Sequence, residues 1–234
     1  MAVVVRGRFY GLVALVLAAL VFTGFARSFY LRAWFDVPPI TRLLELHGLL
    51  FSAWFGLYVV QTRLIAANNV RAHMKLGIAG VLLAMVVVIV GLVTTVVSAS
   101  APRMRPMGMS SPQFVLFPLV AILAFGAMVA VAVAYRHRPA VHKRWMTLAM
   151  ITVLGPPVAR LIALTAQRES FLAIQTTVAA AFVIWCLIAD WLRHRVVHPI
   201  YAVGGTLLVL SWPLRAAIAQ TVGWENIGAW MARL

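Results

Sequence analysis

Apolar residues along this chain fall into seven long runs, near 9–29, 43–64, 74–98, 114–135, 145–166, 171–191 and 199–221. A run of about 20 apolar residues crosses a bilayer as an α-helix, because a helix satisfies its own backbone hydrogen bonds where no water can do so. The pattern predicts an all-α polytopic bundle of seven membrane-spanning helices, forming one transmembrane domain over residues 1–234. The joints agree with that division. VPP at 37–39, AANN at 66–69, APRMRPMGMSSP at 101–112 and AQRES at 166–170 carry turn-forming residues, and none is long enough to hold a soluble domain. The first run also has the outline of a secretory signal, with Arg6 and Arg8 ahead of its apolar core. Ala26-Arg27-Ser28 is a poor cleavage site and Phe29 and Tyr30 form an interfacial aromatic pair, so the run is read as the first helix.

Polar positions repeat as well. A basic, His-bearing junction opens three of the runs, as VRAHMKLG around His73, AVHKRWM around His142 and RVVHPIY around His198. Pro157 follows His142 by fifteen residues, Pro213 follows His198 by fifteen, and Arg160 and Arg215 stand just beyond. This suggests three helical hairpins after an extra first helix, with Pro157 and Pro213 kinking the helices that hold them.

Lys and Arg in the short joints set the expected orientation. Eleven lie on the side of Arg6, Arg71, Arg136, Lys143 and Arg195, against seven on the side of Arg27, Arg42, Arg105 and Arg233. The excess places the amino end inside and the carboxyl end outside. Composition is in keeping, with 64% apolar and 11% charged residues and a mean hydropathy of +0.98. The formal charge of +15 is spread over span ends and forms no single basic face, so nucleic acid is not expected. The expected partners are membrane lipids, including anionic headgroups, together with other membrane subunits or further copies of the chain.

Two constellations carry chemistry. On the inner side, His73, His142 and His198 open helices three, five and seven, with Asp190 the only acid there. Three His and a carboxylate match a zinc or non-haem iron site in number, and two facing His could hold a haem axially; an anchoring role at the headgroups is the alternative. On helix two, His47, Trp54, Tyr58 and Gln61 fall on one stripe, which should face the bundle interior because polar groups in lipid are costly. Glu45, Arg160 and Arg215 belong to the same outer third as His47, with Arg160 about 22 Å into helix five. Glu45, His47, Arg160 and Arg215 are therefore expected to form a site for an anionic or quinone-like ligand. His47 and His73 bracket helix two and cannot bind one iron, being over about 20 Å apart.

The remaining chemistry is sparse. Met104, Met107 and Met109 have the spacing of a Cu(I) thioether site, but Arg103 and Arg105 beside them would repel a cation. Cys186 is the sole cysteine, which excludes an internal disulfide and a CxxCH haem attachment. GxSxG, P-loop, HExxH and GxGxxG motifs are absent, and five acidic residues leave little for paired-carboxylate catalysis. The balance leans away from an enzyme.

HGLLFSAWFGLYVVQTRLIAANNVRAHMKLG at 47–77 resembles a pattern in multi-His bacterial inner-membrane proteins, and HKRW at 142–145 and RVVHP at 195–199 are similar to that group's later His positions. The same residues resemble, more distantly, membrane proteins of haem handling and terminal-oxidase maturation. The resemblance implies a multi-pass protein of the bacterial inner (cytoplasmic) membrane. Seven spans, an inside amino end and three His with an Asp are also similar to the progestin/adiponectin-receptor and ceramidase-like zinc hydrolases. Here, however, His194 and His198 precede helix seven and Ser52 follows His47. The leading expectation is a polar intramembrane site for a cofactor or small ligand, with haem b or a quinone in redox or oxidase-maturation work, and zinc or copper behind them. A non-catalytic scaffold or assembly subunit is the alternative, and a zinc-dependent membrane hydrolase a further one.

Overall fold

The computed structural model describes residues 2–101, 105–165 and 168–234. Every regular element among them is helical, and seven helices are long and apolar enough to cross a membrane: Phe9–Tyr30, Arg42–Ala66, Val70–Ala99, Ser111–Ala134, Pro139–Ala163, Phe171–His194 and Ile200–Ala219. These coincide with the seven apolar runs to within a few residues. A multi-pass membrane protein has this form. The chain divides into two compact units, Met1–Val90 and Gly91–Leu234.

The first unit holds α1 (Ala2–Phe25), α2 (Arg42–Ala66) and the larger part of α3 (Val70–Ala99), up to Val90. Phe9, Val13, Leu17 and Val21 recur every four residues and are buried as one stripe of α1, which packs on α2. A π-helical turn, Ala26–Tyr30, ends α1. It lays the Phe29 ring on Gly48 of α2, where a Cβ would come within 2.5 Å of it, and brings the Tyr30 hydroxyl to 2.7 Å from Ser52 Oγ. Thr41 caps α2 by accepting from Leu44 N. Asn69 does the same for α3, accepting from Ala72 N.

The second unit holds the end of α3 with α4 (Ser111–Phe114), α5 (Leu116–Ala134), α6 (Pro139–Thr152), α7 (Gly155–Ala163), α8 (Phe171–His194), α9 (Gly205–Ala219) and α10 (Val222–Met231). The strongest pairings are α5 with α6 and α8 with α9. At its centre lies α6, every residue of which is buried from Thr147 to Thr152, with Val153 and Leu154 buried after them. A helix with no exposed side at that level is enclosed by protein on all sides.

The two prolines act differently. Span five stops at Thr152 and restarts at Gly155, immediately before Pro156 and Pro157. Proline disfavours the helical conformation in the residue ahead of it and lacks an N–H to donate, so adjacent prolines suit the first turn of a helix and interrupt a ladder running into it. Pro213 instead sits inside an uninterrupted α9. The irregularity of span seven comes at its start, where Ile200–Gly204 form a π-helical turn. The expected kink is thus a full break in span five and absent as a break in span seven.

A short helix, α10, follows the seventh span and has no counterpart among the seven apolar runs. Thr221 caps it, accepting from Trp224 N. The Trp224 indole N–H lies 3.3 Å from Pro112 O and 3.1 Å from Gln113 O. Gly228 lies against the Pro112 carbonyl so closely that no side chain would fit there. Met231 joins Ala99 and Val115 in a small apolar cluster that seats the helix.

Candidate functional site

In the first unit, the stripe on α2 is present. Trp54 and Tyr58 are buried, while His47 and Gln61 are half-buried. The His47 ring lies 4.7 Å from that of Phe51. Glu45 is exposed in the first turn of α2, where a carboxylate favours the helix dipole. Gln61 makes a connection that spacing alone did not suggest: with its amide turned to match its neighbours, its nitrogen donates to His73 Nδ1 at 2.6 Å and its oxygen accepts from Gly77 N at 3.1 Å. His73 is thereby tied to the end of α2 remote from His47, fourteen residues away, about 21 Å along the axis.

In the second unit the His-bearing end is organised around an ion pair. Arg144, from the HKRW phrase, is 4% exposed and Asp190 3% exposed. Arg144 Nε donates to Asp190 Oδ2 at 2.8 Å and Nη2 to Oδ1 at 2.7 Å, while Nη1 donates to Ala140 O at 2.6 Å. This is the two-pronged fit of a guanidinium on a carboxylate. The guanidinium also stands 5.7 Å from the centre of the Tyr201 ring. His198 N donates to Asp190 Oδ2 at 3.3 Å, and His194 Nδ1 lies 3.7 Å from Oδ1, beyond hydrogen-bond range.

The inner His set is therefore engaged elsewhere. His142 Nδ1 is 2.8 Å from Ala132 O, and His198 Nδ1 accepts from Ile200 N at 3.3 Å. Partial burial and the charges of Arg144 and Lys143 hold the His198 imidazole below its usual range, with Asp190 opposing them. Among the described residues no group of three or more His, Cys, Asp and Glu side chains is placed to hold a metal ion. Of the methionine trio, Met104 lies outside the described residues, Met107 has a left-handed backbone at φ 61° and Met109 is buried.

Toward the other end of the second unit lie the two arginines of the expected ligand site. Arg160 is exposed, and its Nη1 donates to Pro156 O at 3.2 Å, one turn earlier in α7. Arg215 is 4% exposed. Its Nη2 donates to Ser211 Oγ at 2.7 Å and its Nη1 to Phe117 O at a long 3.4 Å. The buried Nε has no hydrogen-bond partner. No carboxylate forms an ion pair with Arg215 among the described residues. Its surroundings are aromatic: the guanidinium is 5.1 Å from the Trp212 ring centre, Trp212 and Phe117 are 5.8 Å apart, and Phe114 and Phe171 complete the group. Trp212 can enter because Gly155, at the break in span five, has no side chain; a Cβ there would come 2.9 Å from the indole. Gln175, also buried, donates to the Gly155 carbonyl at 2.9 Å.

The expected outer cluster thus falls across both units. Glu45 and His47 belong to the first, and Arg160 and Arg215 to the second. Residues that sequence reasoning missed as site members are Arg144, Ser211, Phe117 and Gln175. The signal for Arg144 was available: Asp190 stands alone among apolar residues at the end of a span, and such a carboxylate needs a cation close by. No family model, curated protein or solved structure matches this chain.

Proposed function

We propose that this is an integral membrane protein that binds a small ligand inside its helical bundle, with Arg215 as the group that receives it. The single observation that carries this reading is a guanidinium, enclosed by protein within a span, that has neutral acceptors on two nitrogens and none on the third. A buried ion without a counter-charge is costly, because nothing offsets its loss of hydration. Intramembrane charge that the protein does not itself neutralise marks a ligand or ion path.

The ligand has an acidic or carbonyl-bearing head, as an anionic amphiphile or a quinone does, because a guanidinium donates five N–H groups and accepts none. The aromatic group of Phe114, Phe117, Phe171 and Trp212 makes the surroundings of the head apolar. No histidine is among the partners of Arg215, so this site does not call for haem ligation.

Extraction of the purified protein with organic solvent, followed by mass analysis of what is released, tests the reading. A small molecule recovered in proportion to wild-type protein and lost from Arg215→Leu is expected. Equal recovery from both, or nothing from either with full fold retained, would favour a scaffold subunit that uses its polar interior only for packing.

A further inference from the structure

The site around Arg215 is half of an arrangement that the same unit shows complete elsewhere. At Arg144, the edge of the guanidinium formed by Nε and Nη2 is filled by the two oxygens of Asp190, at 2.8 and 2.7 Å. At Arg215 the same edge carries a hydroxyl on Nη2, from Ser211, and nothing on Nε. Both arginines are 4% exposed. The missing element is thus the oxyanion that Asp190 supplies to Arg144.

Building on the ligand-site reading above, the geometry points to an oxyanion head, a phosphate or carboxylate, as the group that Arg215 binds, seated two-pronged on Nε and Nη2. A neutral carbonyl could accept one hydrogen bond but would leave a full positive charge buried; an oxyanion neutralises it and fits the planar fork. Depth favours a headgroup as its source. Arg215 stands four residues before the last residue of α9, about 6 Å along the axis, at the border between acyl chains and headgroups. Entry has a marked doorway, since Ser211 is half-exposed and its hydroxyl is already on Nη2. The Ser211 hydroxyl donates to Leu208 O at 2.6 Å, and turning about its Cα–Cβ bond to another rotamer would withdraw Oγ and release that nitrogen to a stronger acceptor. No carboxylate of the protein competes for the guanidinium among the described residues.

The experiment titrates protein in mild non-ionic detergent with phosphatidylglycerol, phosphatidylcholine, inorganic phosphate or a short-chain quinone, reading melting temperature and native mass. The expected result is a 1:1 phosphatidylglycerol adduct, about tenfold or more tighter than the phosphatidylcholine or quinone adduct, with that preference lost in Arg215→Gln. Inorganic phosphate matching phosphatidylglycerol in a way that depends on Arg215 supports the oxyanion and assigns it to a free ion; phosphate without effect assigns it to a lipid. Equal response to phosphatidylglycerol and phosphatidylcholine, or a preference unchanged in Arg215→Gln, overturns the inference. A quinone response without any oxyanion response overturns it too while leaving the ligand-site reading in place, whereas no response to any probe removes both. If Arg215→Gln does not fold, Arg215→Lys decides with the wild-type ranking: it keeps the charge and loses the fork, so binding should weaken about tenfold and the preference for the anionic lipid should persist.

Discussion

Arg144 and Arg215 are buried to the same extent in the same unit, one near the start of span five and one near the end of span seven. Asp190 neutralises the first, whereas the second donates only to neutral oxygens, Phe117 O and Ser211 Oγ. The difference teaches that burial does not by itself tell a lock from a site. A paired ion whose every prong is used has no free valence for a ligand, and its loss is felt as stability. An ion left short of its acceptors weakens the empty protein and becomes useful only when something arrives.

Removing one member of the complete pair should have the largest effect. Asp190→Asn or Arg144→Leu strands a buried charge or its partner and should cost about 3–5 kcal/mol, seen as a large fall in the chemical or thermal midpoint in detergent; the double change Arg144→Met with Asp190→Leu should recover most of it. The opposite sign is expected at the incomplete one. Arg215→Leu, measured on protein stripped of small molecules, should leave stability unchanged or raise it by about 1–3 kcal/mol, and the gain should vanish when wild type is compared with its ligand bound. A large loss of stability in stripped Arg215→Leu would break the comparison, because Arg215 would then be a lock as well.

Smaller effects refine it. Ser211→Ala should cost stripped protein about 1 kcal/mol by leaving Nη2 without its acceptor, while weakening ligand binding less than any change at Arg215. The pH response comes last. His198 has its affinity for a proton lowered in the folded state, so as pH falls through about 6.5 the unfolded chain takes up the proton first and stability declines, until the folded imidazole also titrates. Melting curves at pH 8 and pH 5.5 should differ for wild type, and His198→Asn, which keeps an acceptor for Ile200 N, should remove part of that difference. A slope unchanged in this variant would place the titration elsewhere.

Much of the architecture could be read from period and length. Seven runs became seven long helices because backbone satisfaction in an apolar medium leaves a segment of that length few alternatives. What failed to show was whatever depends on a partner distant in sequence. Asp190 was read as the only acid at its end of the helices and a candidate metal ligand, yet the residue that claims it lies forty-six positions earlier in a phrase where Arg144 looked like one more basic joint residue. The equal spacing of Pro157 and Pro213 suggested equal kinks; Pro156 beside the former and its absence beside the latter decide that only one helix breaks. Arg215 was legible as costly, because an Arg late in a span has few ways to be cheap. Its missing acceptor was not, since that depends on what Phe117 and Ser211 happen to present. The short α10 escaped because ten residues are too few to register as a span, and its position rests on Pro112 and Met231 contacts.

The enclosure of α6 from Thr147 to Thr152 bears on how the chain is made. A segment that ends up surrounded by protein has no need to be as oily as one that faces lipid, and span five is indeed less apolar than span four, which precedes it. Such a segment is a weak candidate for leaving a protein-conducting channel alone. Its strongest packing partner is α5, made just before it. The two should partition into the bilayer together as a pair, with the more apolar helix carrying the less apolar one, and α8 and α9 closing around them afterwards. Changes that strip apolar character from α5 should therefore show first as misinserted α6, before any effect on the finished protein.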